Sequence, residues 1–247
     1  MSAIEALDVH KAFGRATVLR GVDLRVEAGQ RLGLIGPAAA GKTVLLKLFA
    51  GLERPDRGTL RVDDKDIATL PESEKRKLRT RIGMAFQSDA LFDFMTVGEN
   101  VAFPLRRTSD LEDDDIAERA RRRLRQVGLA GSEEKMPSQL SGGMRKRVGL
   151  ARATIAEPEI LLTDEPTAGL DPVTTAKIYE LIASIQADTG GAVVAVSSDV
   201  ASLAAFADTI AMLYDGRIAY CGPSASIGDA RDPAVRQFVS GQSEGPL

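Results

Sequence analysis

The chain has a single cysteine, a single histidine and no strong surplus of either charge. A lone thiol, Cys221, cannot close an internal disulfide, and Met1 to Arg20 holds no apolar stretch of signal-peptide type. Both features point to the bacterial cytoplasm or another reducing compartment. One imidazole, His10, excludes a histidine-built metal centre, and on an alternating segment it reads as a surface strand residue. The 32 basic and 35 acidic residues leave a formal net charge of −3, too little asymmetry for nucleic-acid binding by field alone. Apolar runs stay far below the roughly 18 to 20 residues that a bilayer crossing needs. What is present, 44% hydrophobic and 27% charged residues over 247 positions, is the balance of a soluble globular protein with one large core or two small ones.

Along the chain, the first thirty-five or so positions roughly alternate apolar and polar residues, with Gly14 and Gly29 as turn signals, and predict short strands. Arg31 to Ile35 reads as a buried strand, followed by a glycine-bounded loop and a helix over Val44 to Leu52. Strands are expected at Thr59 to Val62 and Gly83 to Phe86, around a charged helix at Glu72 to Arg81. Residues 88–154 read as mostly helical; within them Asp113-Asp114-Asp115 precede Arg121-Arg122-Arg123, the order that a helix macrodipole favours. Strands at Ile160 to Thr163 and Ala192 to Ser197 flank a helix near Thr174 to Ala187, the alternation of a parallel α/β sheet. The polar end, Asp232 to Leu247, carries a short amphipathic piece with Val235, Phe238 and Val239.

Three motifs carry chemistry. Gly36-Pro37-Ala38-Ala39-Ala40-Gly41-Lys42-Thr43 satisfies G-x-x-x-x-G-K-[ST] between a strand and a helix. Its backbone N–H groups and helix N-terminus can surround a phosphate, Lys42 can reach the terminal phosphates, and the Thr43 hydroxyl can ligate Mg²⁺. If Ala39 must take a positive φ, its methyl costs about 1 kcal/mol. Ile160 to Thr163 then delivers Asp164 and Glu165 at a strand's C-terminal end. Alone this pair would read as solvated surface; beside the loop, Asp164 suits a metal held through water and Glu165 suits polarising an attacking water. At Leu140-Ser141-Gly142-Gly143-Met144 a helix-starting serine with two glycines makes a second anion site.

With that third motif, in this order and spacing along nearly the whole chain, the sequence resembles the ABC transporter ATPases. The resemblance implies the ABC ATPase fold: an α/β, P-loop RecA-like core with an N-terminal antiparallel β portion (1–87 and 155–222), an inserted helical sub-domain (88–154) and a C-terminal tail (223–247). It implies ATP and Mg²⁺ as ligands, Gln87 as a contact to metal and attacking water, and Ala168-Gly169-Leu170-Asp171 as a dimer-contact loop. Phe13 fits the aromatic that stacks on adenine, with a strand-end core phenylalanine as the alternative. In the family, Ser141, Gly142 and Gly143 of one subunit close over the nucleotide on the other subunit's phosphate loop, which implies a homodimer. One departure stands out: where relatives carry a switch histidine, this chain has Ser198.

Met144 in place of the usual glutamine, Gln87-Ser88-x-Ala90-Leu91-Phe92, Asn100 to Leu105 and Asp232 to Phe238 are similar to the ATPases of Mla-type, Mce-associated phospholipid transport systems. That implies a lipid-transport motor on the cytoplasmic face of the inner membrane, with transmembrane permease subunits, an Mce-type lipid-binding protein and no nucleic acid. Phe92, Phe94, Phe103 and Met95 then read either as a groove for a permease helix or as core of the helical sub-domain. The alternatives are an ATP-clamping regulatory subunit with little turnover, suggested by Ser198, and an ABC ATPase for another substrate. Soluble relatives acting on DNA or ribosomes carry coiled coils or two nucleotide domains in one chain, and neither is legible here.

Overall fold

The structure, a computed structural model, describes residues 2–86 and 90–246. In chain order the first half holds β1 (Ser2–Phe13), β2 (Ala16–Glu27), β3 (Arg31–Ile35), α1 (Lys42–Phe49), β4 (Arg57–Val62), β5 (Lys65–Asp66), α2 (Glu72–Thr80) and β6 (Ile82–Ala85). Then come α3 (Val97–Thr108), α4 (Asp113–Gln126), α5 (Gly142–Thr154), β7 (Ile160–Asp164) and α6 (Pro172–Thr189). The chain closes with β8 (Ala192–Val196), α7 (Val200–Phe206), β9 (Thr209–Tyr214), β10 (Arg217–Pro223) and α8 (Pro233–Ser240). These elements gather into two compact units, Met1–Arg79 with Ala192–Leu247, and Thr80–Gly191.

In the first unit an antiparallel sheet has the order β2-β1-β4-β5. Its first two strands are twelve residues each, not the short strands that the alternation predicts. The reason is a register shift between Ala6 and Val9, where Asp8 takes φ 49° and its N–H donates to the Asp23 carboxylate at 2.9 Å. The bulge reverses the phase of the buried positions, so one long strand reads as two short ones. The second sheet of this unit runs β10-β9-β3-β8. There β3 pairs in parallel with β8 and with β9, while β10 returns antiparallel. The near-continuous apolar runs of β3, β8 and β9 follow from being covered on both faces.

The second unit pairs β6 with β7 in parallel and packs α3, α4 and α5 around Val97, Val101, Leu105, Ile116, Leu124 and Val148. Helix α3 opens with a capping box: Thr96 Oγ1 accepts from Glu99 N–H, and the Glu99 carboxylate accepts from Thr96 N–H. The acidic first turn and basic last turn of α4 follow the expected dipole order. Arg123 of that helix is buried, and loss of hydration pushes its pKa down.

Candidate functional site

The phosphate loop lies in the first unit, between β3 and α1. A Cβ at Gly36 (φ 145°) would sit 2.1 Å from the Leu213 carbonyl oxygen, and one at Gly41 (φ 104°) 2.8 Å from Val18 Cγ1. The glycines are therefore imposed by what the loop lies against. Gly41 caps α1 in a left-handed conformation with no side-chain hydrogen bond, leaving the helix start to be met by something other than a capping side chain. Ala39 takes φ 59°, the conformation whose methyl cost was anticipated. The Lys42 ammonium donates to the carbonyl oxygens of Gly36 at 2.6 Å and Pro37 at 2.8 Å, which curls the side chain over the loop. Pro37 and Ala40 are half-buried, while Ala38, Ala39 and Thr43 face solvent. Two residues beyond the paired Leu34 and Val196, the parallel strands β3 and β8 reach Gly36 and Ser198, so one sheet edge brings these two together. Phe13 ends β1 and is 45% exposed, with the Lys11 ammonium 5.1 Å from its ring centroid. The exposed ring removes the core alternative. His10 stays on β1, its Nε2 2.9 Å from the Asp8 carboxylate.

In the second unit Asp164 is 3% exposed at the end of β7. The next residue, Glu165, turns the chain with φ 51°, rare for a side-chain-bearing residue. Its carbonyl oxygen accepts from Ala168 N–H at 3.3 Å and faces the Lys146 ammonium at 3.5 Å. Ser141 caps α5: its hydroxyl accepts from Met144 N–H at 3.3 Å, and Ser141 and Gly142 are exposed. A Cβ at Gly143 would lie 3.5 Å from Leu170, so the start of α5 packs beside the segment Ala168 to Asp171. Asp171 caps α6, accepting from the Thr174 hydroxyl at 2.6 Å and its N–H at 3.0 Å. Those bonds hold its carboxyl below the usual carboxylate range.

Gln87 lies outside the described residues. Just after it, Arg152 of α5 donates to the Ala90 carbonyl at 2.7 Å, and the fully buried Asn100 accepts from Phe92 N–H at 2.8 Å. The Asn100 amide also donates to three carbonyls, of Phe92, Met95 and Thr96. Phe94 is 77% exposed, whereas Phe92, Phe103 and Met95 are half-buried, so the aromatic segment is partly surface and partly core. The main-chain hydrogen bonds of Lys146, Arg152 and Asn100 escaped sequence reasoning, because no motif spells out a backbone partner.

The residue set fits a nucleotide accompanied by Mg²⁺. In the first unit Gly36 and Gly41 form a cradle that a Cβ would fill and Thr43 offers a hydroxyl; in the second unit Asp164 offers a carboxylate, and each is a hard oxygen donor of the kind Mg²⁺ takes alongside substrate phosphates. Among the described residues, no cluster of three or more His, Cys, Asp or Glu offers a rival metal site.

Comparison with known proteins agrees. Residues 19–168 match the family described as ABC transporter. The chain is 39% identical over 245 residues to the probable ribonucleotide transport ATP-binding protein mkl of Mycobacterium leprae, covering 99% of this chain and 71% of that one. It is 36% identical over 244 residues to the intermembrane phospholipid transport system ATP-binding protein MlaF of Escherichia coli K12, covering 99% and 91%. Its fold superposes with a TM-score of 0.83 and 30% identity on a dimeric ATP-binding cassette bound to ADP and Pi in a post-hydrolysis state, covering 90% and 98%.

Proposed function

The chain belongs to the ABC transporter family as an ATP-hydrolysing ATPase subunit, and from that premise we propose that it powers phospholipid movement between bacterial membranes. The observation that carries the nucleotide chemistry is the loop whose Gly36 and Gly41 admit no side chain. There the loop Gly36 to Thr43, all but Pro37 carrying a backbone N–H, wraps the phosphates, and Lys42 moves from its two carbonyls to the terminal phosphates. Mg²⁺ would neutralise phosphate charge there, and Thr43, Gln87 and, through water, Asp164 are the residues that would hold it. Glu165 orients and polarises the attacking water, Gln87 and Ser198 border it, and Phe13 stacks on the adenine. Ser141, Gly142 and Gly143 of a second copy close the site, giving a head-to-tail homodimer.

MlaF likeness over nearly the full chain supports the lipid assignment, with permease subunits docking on Phe92, Phe94 and Met95 and an Mce-type protein completing the system on the far side. The subunit then sits on the cytoplasmic face of the inner membrane, and no described helix is long and apolar enough to cross it. A second reading, an ATP clamp with little turnover, is favoured by one observation: Ser198, two residues past the end of β8, stands where the family places an imidazole.

Purification of the tagged chain from detergent-solubilised native membranes tests the assignment. Permease and phospholipid should come with it. A co-purifying permease loaded with a different solute would overturn the lipid reading and leave the ATPase.

A further inference from the structure

We propose that Lys146 is a positioning residue that ties Glu165 to the helix facing the other ATP; the proposal rests on the head-to-tail reading above. Two segments of the second unit meet at one atom. The carbonyl oxygen of Glu165 accepts from Ala168 N–H at 3.3 Å and lies 3.5 Å from the Lys146 ammonium, five residues along the chain from the Ser141 cap. A Cβ built on Gly143, one turn nearer the cap, would lie 3.5 Å from Leu170. A residue such as Glu165 in the left-handed region is strained and persists only where its surroundings over-determine it. Here a turn N–H and a cation on one oxygen do so, and the backbone they orient aims the side chain that polarises water.

In the head-to-tail dimer, the N-terminus of α5 holds one ATP while Glu165 of the same chain acts on the other. Lys146 spans the interval between them in little more than one helical turn. Pulling α5 onto the opposing phosphates therefore shifts the ammonium, and with it the glutamate backbone. The two sites are coupled inside each chain, so hydrolysis should depend cooperatively on ATP.

The test compares Lys146→Met, Lys146→Arg and the parent full-length chain in single-turnover ATP cleavage, nucleotide titration and thermal melting. Misplacing a reacting group by a fraction of an ångström predicts that Lys146→Met loses about tenfold in cleavage rate. Its ATP affinity and melting temperature should match the parent, its Hill coefficient should fall to one, and Lys146→Arg should recover most of both losses. A Lys146→Met protein that cleaves and cooperates like the parent overturns the proposal, as does a parent without cooperativity. So does a rate loss that comes with a lowered melting temperature and no rescue by arginine. Light scattering on Glu165→Gln with ATP and Mg²⁺ separates the failures: a dimer there with a silent Lys146→Met removes this coupling and spares the sandwich, whereas no dimer removes the sandwich.

Discussion

At Gly36 of the phosphate loop a methyl group has nowhere to go, and at the start of the signature helix it meets open space. A Cβ on Gly36 would lie 2.1 Å from a backbone oxygen, whereas one on Gly142 would find only Arg145 Nη2, 3.9 Å away. The first glycine is required by this chain's own fold. The second is not, and within one subunit nothing explains it. The contrast separates an anion cradle that the fold itself imposes from a Ser141-Gly142-Gly143 surface left open for the second copy of the proposed dimer.

The strongest way to break the contrast is Gly36→Ala. The clash is with backbone that cannot swing aside, so this variant should lose nucleotide binding and melt several degrees lower, or fail to fold. Lys42→Ala, which keeps the backbone, should lose binding alone, as equilibrium dialysis would show; parent-like ATP affinity would contradict the loop assignment. Next in size is Glu165→Gln, expected to slow hydrolysis by at least about a hundredfold while ATP still binds, because that carboxylate handles water and not phosphate.

Gly142→Ala sharpens the comparison from the other side. In the first turn of a helix with free space around it, alanine should leave the melting temperature unchanged or raise it, since alanine is favoured over glycine by about 1 kcal/mol within helices. ATP-dependent association should nevertheless weaken. A destabilised monomer would show that the glycine serves the fold after all. Ser198→His should raise kcat several-fold with little change in ATP affinity, the imidazole acting on the transition state more than on the bound ground state. An unchanged rate in a briskly hydrolysing parent would make serine and water a working replacement. Smallest is Ala39→Gly: relief of the positive φ should stabilise the folded chain by about 1 kcal/mol at most, read as a small upward shift in the urea midpoint.

How much could be read in advance follows from where the determinants lie. The phosphate loop, Asp164 with Glu165, and the Ser141 cap are each contiguous in sequence and sit at strand ends or helix starts, so spacing and element type single each of them out. The bulge at Asp8 left no signature in alternation except its interruption. The closing α7, β9 and β10 were not anticipated: a seven-residue helix is too short for periodicity to declare, and β9 is an apolar run with no polar phase to count. At α8 the buried face includes Gln237, whose amide donates to the Gln242 carbonyl, while Phe238 and Val239 are only half-covered. An apolar count cannot foresee that exchange. Lys146 and Arg152 belong to the same class, being cations whose partners are main-chain oxygens brought near by tertiary packing.

The central claim is that ATP joins the closed cradle of one copy to the open helix start of another. Light scattering on Glu165→Gln with ATP and Mg²⁺ measures it, with Ser141→Arg added in the same background. The account predicts a mass doubling on nucleotide addition that Ser141→Arg abolishes while each chain still binds ATP. A mass indifferent to nucleotide, or a dimer that tolerates Ser141→Arg, would contradict it.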